Sequence, residues 1–233
     1  MALDVVIPTL NAAGPLRATL ESLAQGRDRG LVKRIIVSDG GSQDETVALA
    51  AAAGCVILTG RRGRGAQLRA GADAAVSAWI LFLHADTILS RGWAQEAQGF
   101  MAAVDAEEEG DARADAAVFT FALDDASRWA RVLEKLVNLR VSLFALPYGD
   151  QGLLISRELY DRVGGFRPLP LMEDVDFIRR IGRKRLRMLS SRAITSAERY
   201  RRAGYLRRMT RNMICLGMFF LGVPAERVAK FYG

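Results

Sequence analysis

The sequence predicts an α/β domain, a parallel sheet flanked by helices and followed by a C-terminal helical tail. Two observations carry this. Between Leu3 and Leu83, short apolar segments of strand length alternate with segments of helical character. The chain has 233 residues, half of them hydrophobic and a quarter charged, which suits one large core better than two. No internal repeat runs through it, so a solenoid is unsupported.

The elements follow in order. Leu3 to Pro8 is an apolar strand, and Ala13 to Ala24 a helix. Leu31 to Val37 forms the second strand and runs into Ser38-Asp39-Gly40-Gly41-Ser42. A helix from Asp44 to Ala53 leads to a third strand, Cys55 to Leu58. Gln67 to Val76 is helical, and Trp79 to Leu83 is a strand ending at His84-Ala85-Asp86. The acidic stretch Asp105 to Asp115 reads as a surface loop or a frayed helix end, and Ala117 to Leu123 as a strand. Ser127 to Leu146 is a helix, because Trp129, Val132, Leu133, Leu136, Val137, Arg140 and Phe144 recur at helical spacing. Leu153 to Ile155 is a short strand, and Arg157 to Val163 a short helix stopped by Gly164-Gly165. Asp174 to Ile181 and Tyr205 to Leu221 are helices. In a parallel sheet, ligands bind beyond the carboxyl ends of the strands. Those ends carry Thr9, Asp39, the Arg61-to-Gly65 stretch and Asp86.

Composition narrows the chemistry. The two cysteines, Cys55 and Cys215, are far apart and belong to no C-x-x-C pair, so a thiolate zinc site is excluded. The single histidine, His84, excludes multi-histidine metal sites. The N-terminus has no secretory pattern, and the longest apolar run, Met213 to Val223, is too short to span a bilayer. The expected location is cytoplasmic, with contact at the inner membrane face as an option. Charge is uneven: residues 1–156 carry 15 basic and 19 acidic side chains, residues 157–233 carry 18 and 7. The +11 on the last third suits an anionic partner, or else a solvated basic face.

Four clusters could carry chemistry. Asp39-Gly40-Gly41-Ser42 offers a carboxylate and close backbone approach, against the plain alternative of a tight turn. Arg61, Arg62 and Arg64, spaced by glycine, match phosphate oxygens, against an exposed basic loop; no P-loop lysine follows. Asp86 could hold Mg²⁺ or Mn²⁺, with His84 as second ligand or as a structural imidazole. Glu173-Asp174-Val175-Asp176 could supply a general base, or simply an acidic helix start that favours the helix dipole. Together they are the parts needed to move a group from an activated nucleotide to a hydroxyl.

The ordered set resembles the family 2 glycosyltransferases, whose fold is GT-A-like (Rossmann-like), a mixed, mostly parallel sheet. Val5-Val6-Ile7-Pro8-Thr9-Leu10-Asn11 resembles the family's V-I-P-T-x-N opening, and Ile35 to Thr46 its V-D-D-G-S-T-D-x-T segment. Ile80 to Thr87 resembles the strand leading into D-x-D. Gly149 to Phe166 with Glu173-Asp174 resembles the acceptor half and its E-D motif. The resemblance covers roughly residues 3 to 185, and the chain is expected to be a single domain over residues 1–233, with a nucleotide half (1–88), an acceptor half (89–200) and a tail (201–233). The resemblance implies an inverting transfer from a nucleotide-sugar donor, assisted by Mn²⁺ or Mg²⁺. Pro8, Thr9 and Asp39 would contact the nucleotide, Asp86 the metal and diphosphate, and Gly149, Asp150 and Gln151 the acceptor. Asp174 would be the base, and Glu173 its neighbour in acceptor positioning. Arg61, Arg62 and Arg64 are assigned to the nucleotide or its phosphates on chemistry alone.

Two positions depart from the pattern: Gly40 replaces the second Asp of D-D, and His84 the first Asp of D-x-D. Arg199-Tyr200 is all that resembles the later Q/R-x-x-R-W motif, which argues against a processive polymerase. The tail, arginines and then Met, Phe and Leu, suits a membrane surface near a lipid-linked acceptor, or burial on its own domain or a second subunit. Two other functions fit less well. A nucleotidyltransferase acting on a triphosphate would leave Glu173-Asp174 without a base role. A nucleic-acid-binding module would need aromatics interleaved with the basic residues, so no nucleic-acid partner is expected.

Overall fold

The computed structural model describes residues 1–107, 114–144, 146–147 and 149–232, with Phe144 described in its backbone alone. The first half holds β1 (Leu3–Thr9), α1 (Ala13–Ser22), α2 (Ala24–Asp28), β2 (Val32–Asp39), α3 (Thr46–Ala52), β3 (Val56–Thr59), α4 (Arg64–Ala74) and β4 (Trp79–Phe82). Then come β5 (Thr87–Leu89), α5 (Trp93–Ala106), β6 (Ala116–Leu123), α6 (Arg128–Phe144), β7 (Leu153–Ser156), α7 (Arg157–Arg162), α8 (Glu173–Ile181) and β8 (Leu186–Thr195). The tail is α9 (Glu198–Ala203), α10 (Tyr205–Phe220) and α11 (Ala225–Tyr232).

The strands form one eight-stranded sheet in the order β3-β2-β1-β4-β7-β6-β8-β5. β3, β2, β1 and β4 are parallel neighbours, as their helical crossovers require. β7 joins antiparallel to β4 and β6, β6 and β8 are parallel, and β5 closes the far edge antiparallel to β8. The sheet is therefore mixed and mostly parallel, as expected.

Side chains of β1 alternate between two apolar layers, the period of a strand covered on both faces. Leu3, Val5 and Ile7 join one layer with Leu16 of α1 and Trp93, Ala97 and Met101 of α5. Val6 joins the other with Leu68 of α4, Leu159 of α7 and Phe177 of α8. In this second layer Phe166 and Phe177 lie with ring centroids 4.2 Å apart, fixing α8 against the sheet.

Several boundaries differ from expectation. The helix predicted over Ala13 to Ala24 divides at Leu23 into α1 and α2. The helix predicted from Gln67 begins at Arg64, because Gly63 takes a φ of +142° that lets the chain turn into its first residue. Of the acidic stretch, Asp105 and Ala106 end α5, Asp115 is buried, and residues 108–113 lie outside the described residues. The elements α5, β5, β8, α9 and α11 are not among those read from the sequence. The tail packs on its own domain: Cys215, Leu216 and Val228 bury against Met172 and Val175 at the start of α8. Among the described residues no helix is long and apolar enough to cross a membrane.

Candidate active site

The loops after β1 and β2 are shaped by one buried carboxylate. Asp39 Oδ1 accepts from Thr9 Oγ1 at 2.8 Å and Ser42 Oγ at 2.5 Å. Its Oδ2 accepts from the N–H groups of Gly41 (2.9 Å) and Ser42 (2.7 Å). Burial alone would raise the Asp39 pKa, but these donors outweigh it and the net shift is downward. Gln67 Nε2 bridges the carbonyls of Thr9 and Ser38, both at 2.7 Å. Asn11, at φ +49°, donates its N–H to Ser42 Oγ and accepts from Gln43 N–H, lashing the two loops together.

Two cavities open at these strand ends. The larger, about 440 Å³, is lined by Pro8, Thr9, Asn11, Arg62 and Gln67. The smaller, about 160 Å³, is lined by Gly149, Asp150, Asp174, Thr195, Tyr200 and Tyr232. Arg64, His84, Asp86, Leu171, Glu173 and Arg199 line both and form their common wall.

Backbone geometry at that wall is unusual. Among the described residues only Asn11 and Met172 have positive φ without being glycine. Met172, at φ +64°, immediately precedes Glu173 and Asp174 at the start of α8. A methionine there is strained, and such strain is sustained where the surroundings fix it. Here they do: Val175 N–H donates to Asp174 Oδ1 and Gly149 N–H to Asp174 Oδ2, each at 2.7 Å.

The carboxylates differ in environment. Glu173 is 1% exposed; burial, then the charge of Asp174, push its pKa up to about 7, against the pull of Arg64 Nη1 at 3.5 Å. Asp150 is also pushed up to about 7, first by burial and then by Asp174 and Asp86, with Arg140 opposing. His84 is driven well below its ordinary pKa by burial, with Arg64 and Arg199 acting in the same direction, so its imidazole is neutral at pH 7.

A neutral imidazole and a carboxylate, His84 and Asp86, thus share the common wall. Among the described residues no group of three or more His, Cys, Asp or Glu side chains is arranged to hold a metal ion. The pair nevertheless fits a hard divalent cation that draws its other ligands from a diphosphate and water.

The structure brings together Pro8, Thr9, Arg62, Arg64, His84, Asp86, Gly149, Asp150, Glu173 and Asp174 around the two cavities. It leaves three of the expected residues outside. Asp39 spends its acceptor capacity on the loops, Arg61 is exposed beyond the larger cavity, and Gln151 is buried, donating to the Phe119 carbonyl at 3.0 Å. Gln67, Thr195, Arg199, Arg208, Asn212 and Tyr232 line the cavities and were not singled out as ligand contacts. The basic excess after residue 156 was a visible signal for Arg199 and Arg208, and Arg199-Tyr200 was also the trace of the later motif; the other four carried none.

Residues 4–164 match the family described as Glycosyl transferase family 2. The chain belongs to that family, and it is a glycosyltransferase enzyme. Among solved structures it is similar to residues 1–349 of TarS from S. aureus, with a TM-score of 0.65 and 15% identity over 100% of this chain and 70% of that one. It is also similar to glucosyl-3-phosphoglycerate synthase from Mycobacterium tuberculosis, with a TM-score of 0.62 and 22% identity over 96% of this chain and 81% of that one. At such identities these likenesses establish the fold, which is GT-A-like as expected. The TarS fragment has been solved with UDP and with UDP-GlcNAc, and the synthase with Mn²⁺, UDP and glucosyl-3-phosphoglycerate. No curated protein matches the chain significantly.

Proposed function

We propose that the enzyme transfers a sugar from a nucleotide-sugar donor in the larger cavity to an acceptor hydroxyl in the smaller one, with inversion. The observation that carries this is the wall common to both cavities, where arginines, Asp86, His84 and Glu173 stand between nucleotide space and acceptor space. The nucleotide lies along Pro8, Thr9 and Asn11, with its diphosphate toward Arg62, Arg64 and Arg199. UDP in both structural relatives supports uridine as the base.

Asp174 accepts the acceptor proton. The freed oxygen forms a bond to the anomeric carbon while the bond from that carbon to the diphosphate oxygen breaks, and the leaving electron pair stays on the diphosphate. Glu173 is paired with Arg64 and positions that guanidinium rather than taking the proton. His84 and Asp86 would hold a divalent cation, Mn²⁺ or Mg²⁺. Its chemistry there is to offset the charge of the leaving diphosphate. The domain works as one unit: residues 1–88 supply most of the nucleotide cavity, residues 89–200 most of the acceptor pocket, and residues 201–233 its outer side through Arg208, Asn212 and Tyr232.

The test is calorimetric titration of UDP with Mn²⁺ and with EDTA, alongside UDP release from UDP-sugars. Asp174→Asn is expected to slow release by about 10²–10⁴-fold with UDP affinity kept. Asp86→Ala is expected to lose the metal-dependent part of UDP binding. Failure of UDP and its sugars to bind under either condition would overturn the uridine reading. Unchanged turnover in Asp174→Asn would remove that base.

A further inference from the structure

A third cavity opens beside the acceptor pocket. It is a groove of about 410 Å³ between α6 and α10, lined by Leu133, Leu136, Leu139 and Leu143 on one side and Met209 and Met213 on the other. Most of its lining is apolar, and its polar residues are Arg140, Asp150, Tyr200 and Asn212. Asp150, Tyr200 and Asn212 line both this groove and the acceptor pocket and form the neck where the two meet. At that neck, Asp150 Oδ1 and Asn212 Oδ1 are buried and have no hydrogen-bond partner. Two orphaned acceptor oxygens in a passage are costly unless a ligand supplies donors.

The outer face of α6 extends the same surface. Trp129, Val132, Leu136, Leu139 and Leu143 are each about half exposed at helical spacing, while Ala130, Leu133, Val137 and Val141 face inward. α6 therefore packs with one face and leaves a second apolar stripe, of which Leu136, Leu139 and Leu143 line the groove.

We propose that the groove is the subsite for an apolar chain on the acceptor. The acceptor is then an amphiphile whose chain lies between α6 and α10. Its hydroxylated head donates to Asp150 and Asn212 at the neck and reaches Asp174 in the pocket beyond. This rests on the transferase reading and names the substrate class for it. The lining shared with the pocket and the unpartnered oxygens at the junction favour a ligand that enters the active site over a second protein copy lying across the face.

The probes are n-alkyl β-glucosides from methyl to octyl, below their micelle concentrations, titrated in the presence of UDP. Affinity is expected to rise about fourfold per methylene until the groove is full, the increment for burying one CH₂. Leu136→Glu is expected to flatten the series. Val76→Glu, at an exposed apolar position outside these cavities, is expected to leave it intact. Circular dichroism of each variant reports folding, and Leu139→Glu serves if Leu136→Glu does not fold. Affinity independent of chain length, or a series that a folded Leu136→Glu or Leu139→Glu variant leaves steep, overturns the proposal. So does a dimer in sedimentation velocity that Leu136→Glu dissociates, because the face then belongs to a second copy. UDP titration of the unsubstituted protein separates the two claims. A protein that binds the alkyl series and not UDP keeps the groove and loses the uridine donor. One that binds UDP without chain-length dependence loses the groove.

Discussion

Gly149 donates its backbone N–H to Asp174 Oδ2 across 2.7 Å, tying the turn before β7 to the first turn of α8. A Cβ at this glycine would stand 2.6 Å from His84 Nε2 and 3.5 Å from Asp174 Oδ2. Gly149→Ala therefore clashes with the imidazole, and relieving that clash moves the N–H that anchors the proposed base, whose own contact with the Cβ is an ordinary one. Release of UDP from a UDP-sugar is expected to fall about 100-fold, the usual consequence of misplacing a reacting group by about 1 Å. Initial rates check this, with circular dichroism to confirm folding; a rate within about twofold of the parent would show that His84 yields without cost.

His84 is the single histidine, so proton NMR reports it without overlap. Burial, Arg64 and Arg199 all disfavour the imidazolium. Its ring signals are expected to stay fixed between about pH 5 and 8, where an ordinary histidine titrates. A midpoint inside that window would mean that water or a counter-charge reaches the ring.

Glu173 and Asp150 bind protons more tightly in the folded chain than their ordinary values of 4.5 and 3.8 allow, each with a pKa near 7. The folded state thus holds more protons than the unfolded one across that interval. Stability from this source is fully present below the ordinary values and is lost as pH rises through about 7. Glu173→Gln with Asp150→Asn is expected to flatten the fall in urea midpoint between about pH 4.5 and 7.5. An unchanged slope would assign the pH dependence to other groups.

Asp39→Ala removes the acceptor for four donors that shape the β1 and β2 loops. The expected cost is about 2–4 kcal/mol in urea unfolding, since buried donors are left unpaired. UDP affinity should fall as well, because Thr9 and Asn11 lose their anchorage. A variant with parental stability and weakened UDP binding would return Asp39 to direct ligand contact.

The nucleotide side was the more legible half. Val5 to Ile7, Ile35 to Val37 and Ile80 to Leu83 are apolar strands whose ends bear the polar residues that line the larger cavity, or shape it. The acceptor side was harder. β8 mixes Arg187, Ser190, Ser191 and Arg192 among its apolar residues and shifts register opposite Phe119 and Thr120, so no clean alternation marks it. Thr195 was hidden with it. Among the three clustered arginines, sequence alone could not separate Arg61 in solvent from Arg64, which the first turn of α4 aims at Glu173. Asp39 stands where its motif places it, at the end of β2, but the four hydrogen bonds by which it shapes the loops were not legible in the motif.

The pairing of β5 with β8 sets Thr87 Oγ1 2.8 Å from Thr195 Oγ1, 108 residues later, and Thr195 Oγ1 in turn donates to the Asp150 carbonyl at 3.2 Å. This has a consequence for synthesis on the ribosome. The strands framing the nucleotide cavity emerge and can pair among themselves early, whereas the far edge waits for one of the last strands of the sheet. A nascent chain can therefore pair β1 to β4 before the far edge of the sheet exists, and the wall common to the two cavities, which needs Leu171, Glu173 and Arg199, closes late.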